Sequence, residues 1–177
     1  MKIGTMVHLD ENVCSKINDV KAYGMESFQL CCWNLSLFTD EMAEKIKKAA
    51  DEAGLEISAV WCGWSGEAQW NFIRGYHTLG IVPVYFREQR IKELKVGSDF
   101  AKKLGVKDFV THMGFLPENP DTDEFRAVVL AIRDLAEYCK ANGQYLLFET
   151  GQETPITLKR TIIEVGTGNL GINLDPA

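Results

Sequence analysis

Tyr145-Leu146-Leu147-Phe148-Glu149-Thr150-Gly151-Gln152-Glu153 is the stretch whose reading decides the fold. Its opening apolar run suits a strand buried on both faces, and strands of that kind belong to parallel sheets covered by helices. The carboxylate of Glu149 then stands where the strand meets solvent. Leu170-Gly171-Ile172-Asn173-Leu174-Asp175 ends on an acid in the same way. Strand exits are where α/β folds build their sites, so two acids at two such exits point to chemistry.

Upstream, Ile3 to Val7, Ser27 to Trp33, Leu55 to Cys62 and Val106 to Met113 have the same strand character. Helical spacing falls between them. Val13, Ile17 and Val20 mark one helix, and Met42, Ile46, Ala49 and Ala53 mark a second behind a Thr39-Asp40 cap. Ile91, Leu94, Ala101 and Leu104 mark a third. Phe125, Val128, Ile132, Leu135 and Cys139 follow Asp121 and Glu124 at capping-box spacing, and Thr154-Pro155 opens the last helix with proline in its first turn. Strands and helices alternate with no tight hairpin, which implies parallel strands joined by right-handed crossovers.

Two closures suit that pattern, an open doubly wound sheet and a (β/α)8 barrel. A complete barrel takes about 250 residues, whereas this chain has 177 and stops just after its sixth strand. The expectation is an α/β fold of (β/α)8 TIM-barrel type, incomplete, with about six parallel strands alternating with five helices. Residues 1–177 then form a single domain, the N-terminal three quarters of a barrel lacking strands seven and eight.

Composition narrows the function. A formal net charge of -6 with no basic block argues against nucleic acid, because phosphate binding needs clustered Lys and Arg. The five cysteines lie within or beside apolar runs with no C-x-x-C spacing, which predicts reduced core residues and a cytoplasmic protein. No apolar run reaches the ~18 residues of a membrane span, and no secretory leader pattern opens the chain.

Gly166-Thr167-Gly168-Asn169-Leu170-Gly171 matches the dinucleotide fingerprint G-x-G-x-x-G. That fingerprint requires a preceding strand and a following helix, and here the order is reversed. The glycines are expected to stop a helix and turn the chain. From Gly63 to Arg87 runs the longest irregular stretch, with Trp64, Trp70, Phe72, Tyr76, His77 and Tyr85. Its aromatic content suits a lid or binding loop, and equally a cover over an open core edge.

Glu149 and Asp175 together suit a hard or borderline divalent cation, although either acid alone reads better as a cap or ion-pair partner. His112 and His8 end the fourth and first strands, where an imidazole can bind metal or a substrate hydroxyl, move a proton, or simply be hydrogen-bonded at the rim. Trp33, Trp61 and Trp64 stand at the exits of the second and third strands. Their indole faces can stack on a sugar ring, or fill the barrel top.

Glu149-Thr150-Gly151-Gln152-Glu153 and Gly171-Ile172-Asn173-Leu174-Asp175-Pro176-Ala177 resemble the xylose isomerase-like TIM-barrel superfamily, particularly its sugar phosphate isomerases and epimerases. The resemblance implies a divalent metal, Mn²⁺ or Mg²⁺ first and then Zn²⁺ or Co²⁺, held by a Glu, an Asp, a His and a Glu from four successive strands. By position Glu149 and Asp175 are the first two ligands, and the other pair falls beyond Ala177. The chain therefore supplies half of such a shell and by itself is expected to lack activity. Glu149 is also the implied acid/base group, with His8, Trp33, Trp61, His112 and Glu153 lining the substrate site. The implied reaction is isomerisation or epimerisation of a sugar or sugar phosphate by proton transfer through an enediolate. Two rival readings differ in class. One is an apurinic-site endonuclease of the same superfamily, to which His112 would contribute a ligand. The other is a non-catalytic fragment that forms a homo-oligomer through its open sheet edge.

Overall fold

The computed structural model describes residues 2–176. Its centre is a six-stranded parallel sheet in the order β1-β2-β3-β4-β5-β6, every strand lying beside its neighbour in sequence. The strands are β1 Gly4–His8, β2 Ser27–Cys32, β3 Glu56–Cys62, β4 Asp108–Thr111, β5 Tyr145–Glu149 and β6 Leu170–Asn173. Sequential order leaves no topological switch point, so the sheet curls as a sector of a barrel and is not a doubly wound sheet.

Alternation along the strands divides the interior in two. Phe28, Leu30, Cys32, Val60, Cys62, Phe109, Leu146 and Phe148 face outward into one large apolar core shared with the helices. Cys31, Ala59, Trp61 and Val110, with Trp33 and Leu147 packed on them, face inward as a smaller cluster. The residue two after the last inward apolar position therefore decides what the mouth of the barrel presents, as Glu149 does after Leu147. A register shift where β2 meets β3, between Phe28 and Gln29, keeps both strands in that phase.

The helices are α1 Val13–Ala22, α2 Asp40–Ala53, a single turn α3 Gly75–Thr78, α4 Val84–Lys103, α5 Asp123–Ala141 and α6 Pro155–Val165. Thr39 caps α2 by accepting from Met42 N–H at 3.1 Å, and Thr154 caps α6 ahead of Pro155. Caps of this kind contribute about 1 kcal/mol each. In α6 the last turn ends on Gly166 at φ 66°, and Gly168 follows at φ 81°, so the G-x-G-x-x-G glycines are a helix stop and a turn.

Several boundaries depart from the sequence reading. The cap of α5 is Thr122, whose hydroxyl accepts from Phe125 N–H at 3.2 Å; Asp121 lies outside the helix. Helix α4 begins at Val84, so the irregular stretch ends at Pro83 rather than Arg87. Its periodicity is masked because a buried arginine, Arg90, shares the inward stripe with Leu94, Gly97 and Ala101. Finally, β4 ends at Thr111, one residue before His112, and β6 ends at Asn173, two before Asp175. The five cysteines are free thiols, and all but the half-buried Cys14 are buried.

Candidate functional site

Glu149 closes β5 on the inward face, half-buried, and its Oε2 accepts the indole N–H of Trp61 at 2.5 Å. Burial pushes its carboxyl above the usual glutamate range, the Trp61 hydrogen bond opposes that, and the charge of Asp175 adds to it. The two acids thus sense one another. Asp175 is set in place from β5: its N–H donates to the Thr150 hydroxyl at 2.8 Å, and that hydroxyl donates back to the Asp175 carbonyl at 2.9 Å. One step inward, Glu149 pairs with Asn173 in the sheet register. Gln29 of β2 reaches across the interior to the Asn173 side chain at 3.1 Å, tying the two sides of the sheet beneath the acids.

His112 is 3% exposed. Its Nδ1 accepts from Gly114 N–H at 3.1 Å, which leaves the ring proton on Nε2. Burial pushes the imidazole pKa down to about 4, with Gln152 opposing, so the ring is neutral near pH 7. The next loop is laid directly on it. A Cβ at Gly151 would stand 2.4 Å from His112 Nε2, so only glycine allows this approach. Gln152 follows, its buried Oε1 without a donor at hydrogen-bonding geometry.

Four indoles extend the wall. Trp33 lies 5.0 Å from Trp61 and 5.7 Å from Trp64, Trp64 lies 6.4 Å from Trp70, and Trp70 meets His112 edge-on at 5.1 Å. The aromatic loop is therefore part of the site, with Trp64 buried beneath and Trp70 half-exposed at the rim. Arg90 on α4 staples the loop. Its guanidinium donates to the carbonyls of Ser65 and Glu67 on the entering limb and of Thr78 and Gly80 on the leaving one, at 2.7–3.3 Å. Phe86 covers the guanidinium face at 4.2 Å.

Glu153 is half-buried beside this cluster, its carboxyl also raised by burial, and its Oε1 accepts from Gly151 N–H at 3.4 Å. His8 is not drawn in: it is exposed on β1, the opposite edge strand, where its carbonyl accepts from Lys16. Sequence reasoning overlooked Thr150, Gln29, Gln152 and Arg90. For Arg90 there is a signal, an arginine occupying a core position of a helical stripe; Thr150 and Gln29 gain their roles only from the strand register.

Among the described residues no group of three or more His, Cys, Asp and Glu side chains converges as a metal shell. Glu149 and Asp175 fit a divalent ion in kind, as adjacent oxygen donors whose mutual repulsion a cation would relieve. In number they are two. The arrangement offers a pair of carboxylates, a buried neutral imidazole that seats the loop beside them, and a wall of indoles.

The fold agrees with what the chain resembles. A structure of a xylose isomerase domain protein from Planctomyces limnophilus superposes with a TM-score of 0.91 at 29% identity, over 99% of this chain and 62% of that one. A xylose isomerase-like TIM-barrel protein from Mycobacterium smegmatis, in complex with magnesium, gives 0.69 at 17% identity, over 97% of this chain and 63% of that one. D-psicose 3-epimerase in the presence of D-fructose gives 0.69 at 13% identity, over 98% and 63%. The chain thus spans less than two thirds of the length of these three structures. No curated protein sequence matches it. The family model described as xylose isomerase-like TIM barrel matches residues 17–177, and the chain belongs to that family.

Proposed function

We propose that this chain carries the first part of the active site of a divalent-metal-dependent sugar isomerase or epimerase. The observation that supports this reading best is the half-buried Glu149, held by the Trp61 N–H, its carboxyl raised by burial and further by the charge of Asp175. Glu149 and Asp175 would hold Mn²⁺ or Mg²⁺ with further ligands, and the ion would supply Lewis-acid polarisation of a sugar carbonyl. Glu149, its carboxyl raised by burial, takes or returns the proton on the carbon beside that carbonyl. Trp61 fixes which carboxylate oxygen faces the substrate.

His112 acts as a positioning group: its neutral ring, bonded to Gly114 N–H and covered at Nε2 by Gly151, seats the loop that carries Glu153. Because its Nδ1 is engaged by Gly114, the ring cannot turn over without losing that bond. Glu153 accepts a substrate hydroxyl, and Trp33 and Trp61 cover the apolar face of the sugar and keep water from the reacting carbon. The test is Mn²⁺-dependent exchange of substrate C–H for deuterium in D₂O with ketohexoses, in protein containing this chain. Glu149→Gln is expected to abolish the exchange; undiminished exchange in that variant would overturn the role of Glu149.

A further inference from the structure

Beside the site, the β4–α5 loop and the β5–α6 loop enclose a pocket of about 390 Å³, within the range of small-molecule sites. It continues the site described above. His112 to Phe115 is three steps along the chain, at most about 11 Å, and Gln152 directly follows the glycine seated on His112. Tyr76 and Phe115 form its aromatic corner, with ring centroids 6.1 Å apart at 75°. Glu118, Glu124 and Glu153 supply carboxylates, and Gln152 joins the pocket to His112, whose pKa its side-chain hydrogen bond raises.

This lining selects a ligand class. Aromatic faces pack on the apolar face of a pyranose, and carboxylates accept its hydroxyls in pairs. Three carboxylates repel a phosphate or an acid. The nearby guanidinium of Arg160 is engaged by the Glu118 carbonyl at 2.7 Å. The walls are also fixed in advance: Thr122 caps α5 and donates to the Asn119 carbonyl at 3.0 Å, and the Tyr76 hydroxyl donates to Glu124 at 3.3 Å.

We infer that this pocket is a subsite for a second, uncharged sugar ring, so that the substrate is a ketose bearing a glycosyl group and not a free monosaccharide; the inference rests on the sugar reading above. Tyr76 and Phe115 then read the glycosyl ring while Glu149 and the indole wall hold the ketose.

The test titrates the full chain with D-fructose and with maltulose and isomaltulose, which carry a glucopyranosyl ring on different hydroxyls of the same ketose, followed by tryptophan fluorescence. At least one disaccharide is expected to bind about tenfold more tightly than fructose, as one aromatic contact allows. In Phe115→Ala and in Tyr76→Ala that ratio is expected to fall toward one. Tyr76 is 43% exposed, so its removal spares the core. Equal binding of fructose and both disaccharides, or a ratio unmoved in both variants, overturns the subsite and leaves the sugar reading intact. Tighter binding of D-glucosamine than of D-glucose makes the pocket a cation site and also overturns it. Binding of none of these sugars overturns the subsite and the sugar reading together.

Discussion

The indole N–H of Trp61, on β3, donates to Glu149 Oε2, at the end of β5, at 2.5 Å, spanning the width of β4 inside the sheet. The bond orients a carboxylate that burial would otherwise leave more readily protonated. Trp61→Phe keeps the ring and removes the donor. A hydrogen bond to a charged acceptor contributes about 1.5–3 kcal/mol, so turnover is expected to fall by about 10- to 100-fold, with the acidic limb of its pH profile displaced upward. Kinetics across pH 5–8 check this.

Glu149 also bears on stability, and the sign follows from its raised carboxyl. A group whose folded pKa exceeds its unfolded value favours the fold below the unfolded pKa and loses that contribution as pH rises through the folded one. Glu149→Gln removes the charge and keeps an acceptor for Trp61. The variant is expected to melt higher than the native chain at pH 7, and the difference to vanish below about pH 4.3, the ordinary glutamate value. Thermal melts at the two pH values decide it.

His112 works in the opposite sense. Its pKa lies at about 4, lowered by burial from 6.5, so the neutral ring favours the fold. That contribution is complete above about pH 6.5 and is lost as pH falls through about 4. The ring protons of His112 are expected to show no titration between pH 5.5 and 8 by NMR, on the same lowered pKa. His112→Gln should flatten the acid limb of stability.

Gly151→Ala places a methyl 2.4 Å from His112 Nε2. Because the imidazole is buried and bonded to Gly114 at 3.1 Å, it cannot retreat without losing that bond. Overpacking of this kind costs about 1–3 kcal/mol. Urea unfolding reads the loss, and sugar binding is expected to weaken with it.

Arg90→Met retains a long apolar stem but removes every donor that the carbonyls of Ser65, Glu67, Thr78 and Gly80 share. Buried acceptors left unmet cost about 1–3 kcal/mol each when water cannot reach them. A destabilisation of about 3 kcal/mol or more is expected, together with rapid proteolytic cleavage between Gly63 and Pro83. Limited proteolysis followed by mass spectrometry locates the cut.

The strand order was legible because alternating apolar runs and helical stripes report burial directly, and burial is what each element needs. Glu149 and Asp175 were legible for a related reason: an acid ending an apolar run marks the point where a strand leaves the core. The helix start at Val84 was hidden because Arg90 fills a core position with a charge, and apolar periodicity cannot count a buried guanidinium. Thr150 and Gln29 were hidden because their partners lie 25 and 144 residues away, a relation that register creates and local pattern does not carry. His8 shows the converse, a strand-end imidazole that the topology puts on the far edge strand.

The two-way bond between Thr150 and Asp175 has a kinetic meaning. Among the described residues β6 pairs only with β5, and its exit is tied further by the Gln29–Asn173 bond and the Thr150 hydroxyl. An edge held on one side opens locally at a smaller free-energy cost than a strand paired on both. Amide exchange at Asp175 should therefore outpace exchange at Phe148, which lies between β4 and β6. In the metal reading proposed above, Glu149 would be the steadier of the two donors and Asp175 the one that local opening of β6 lets go.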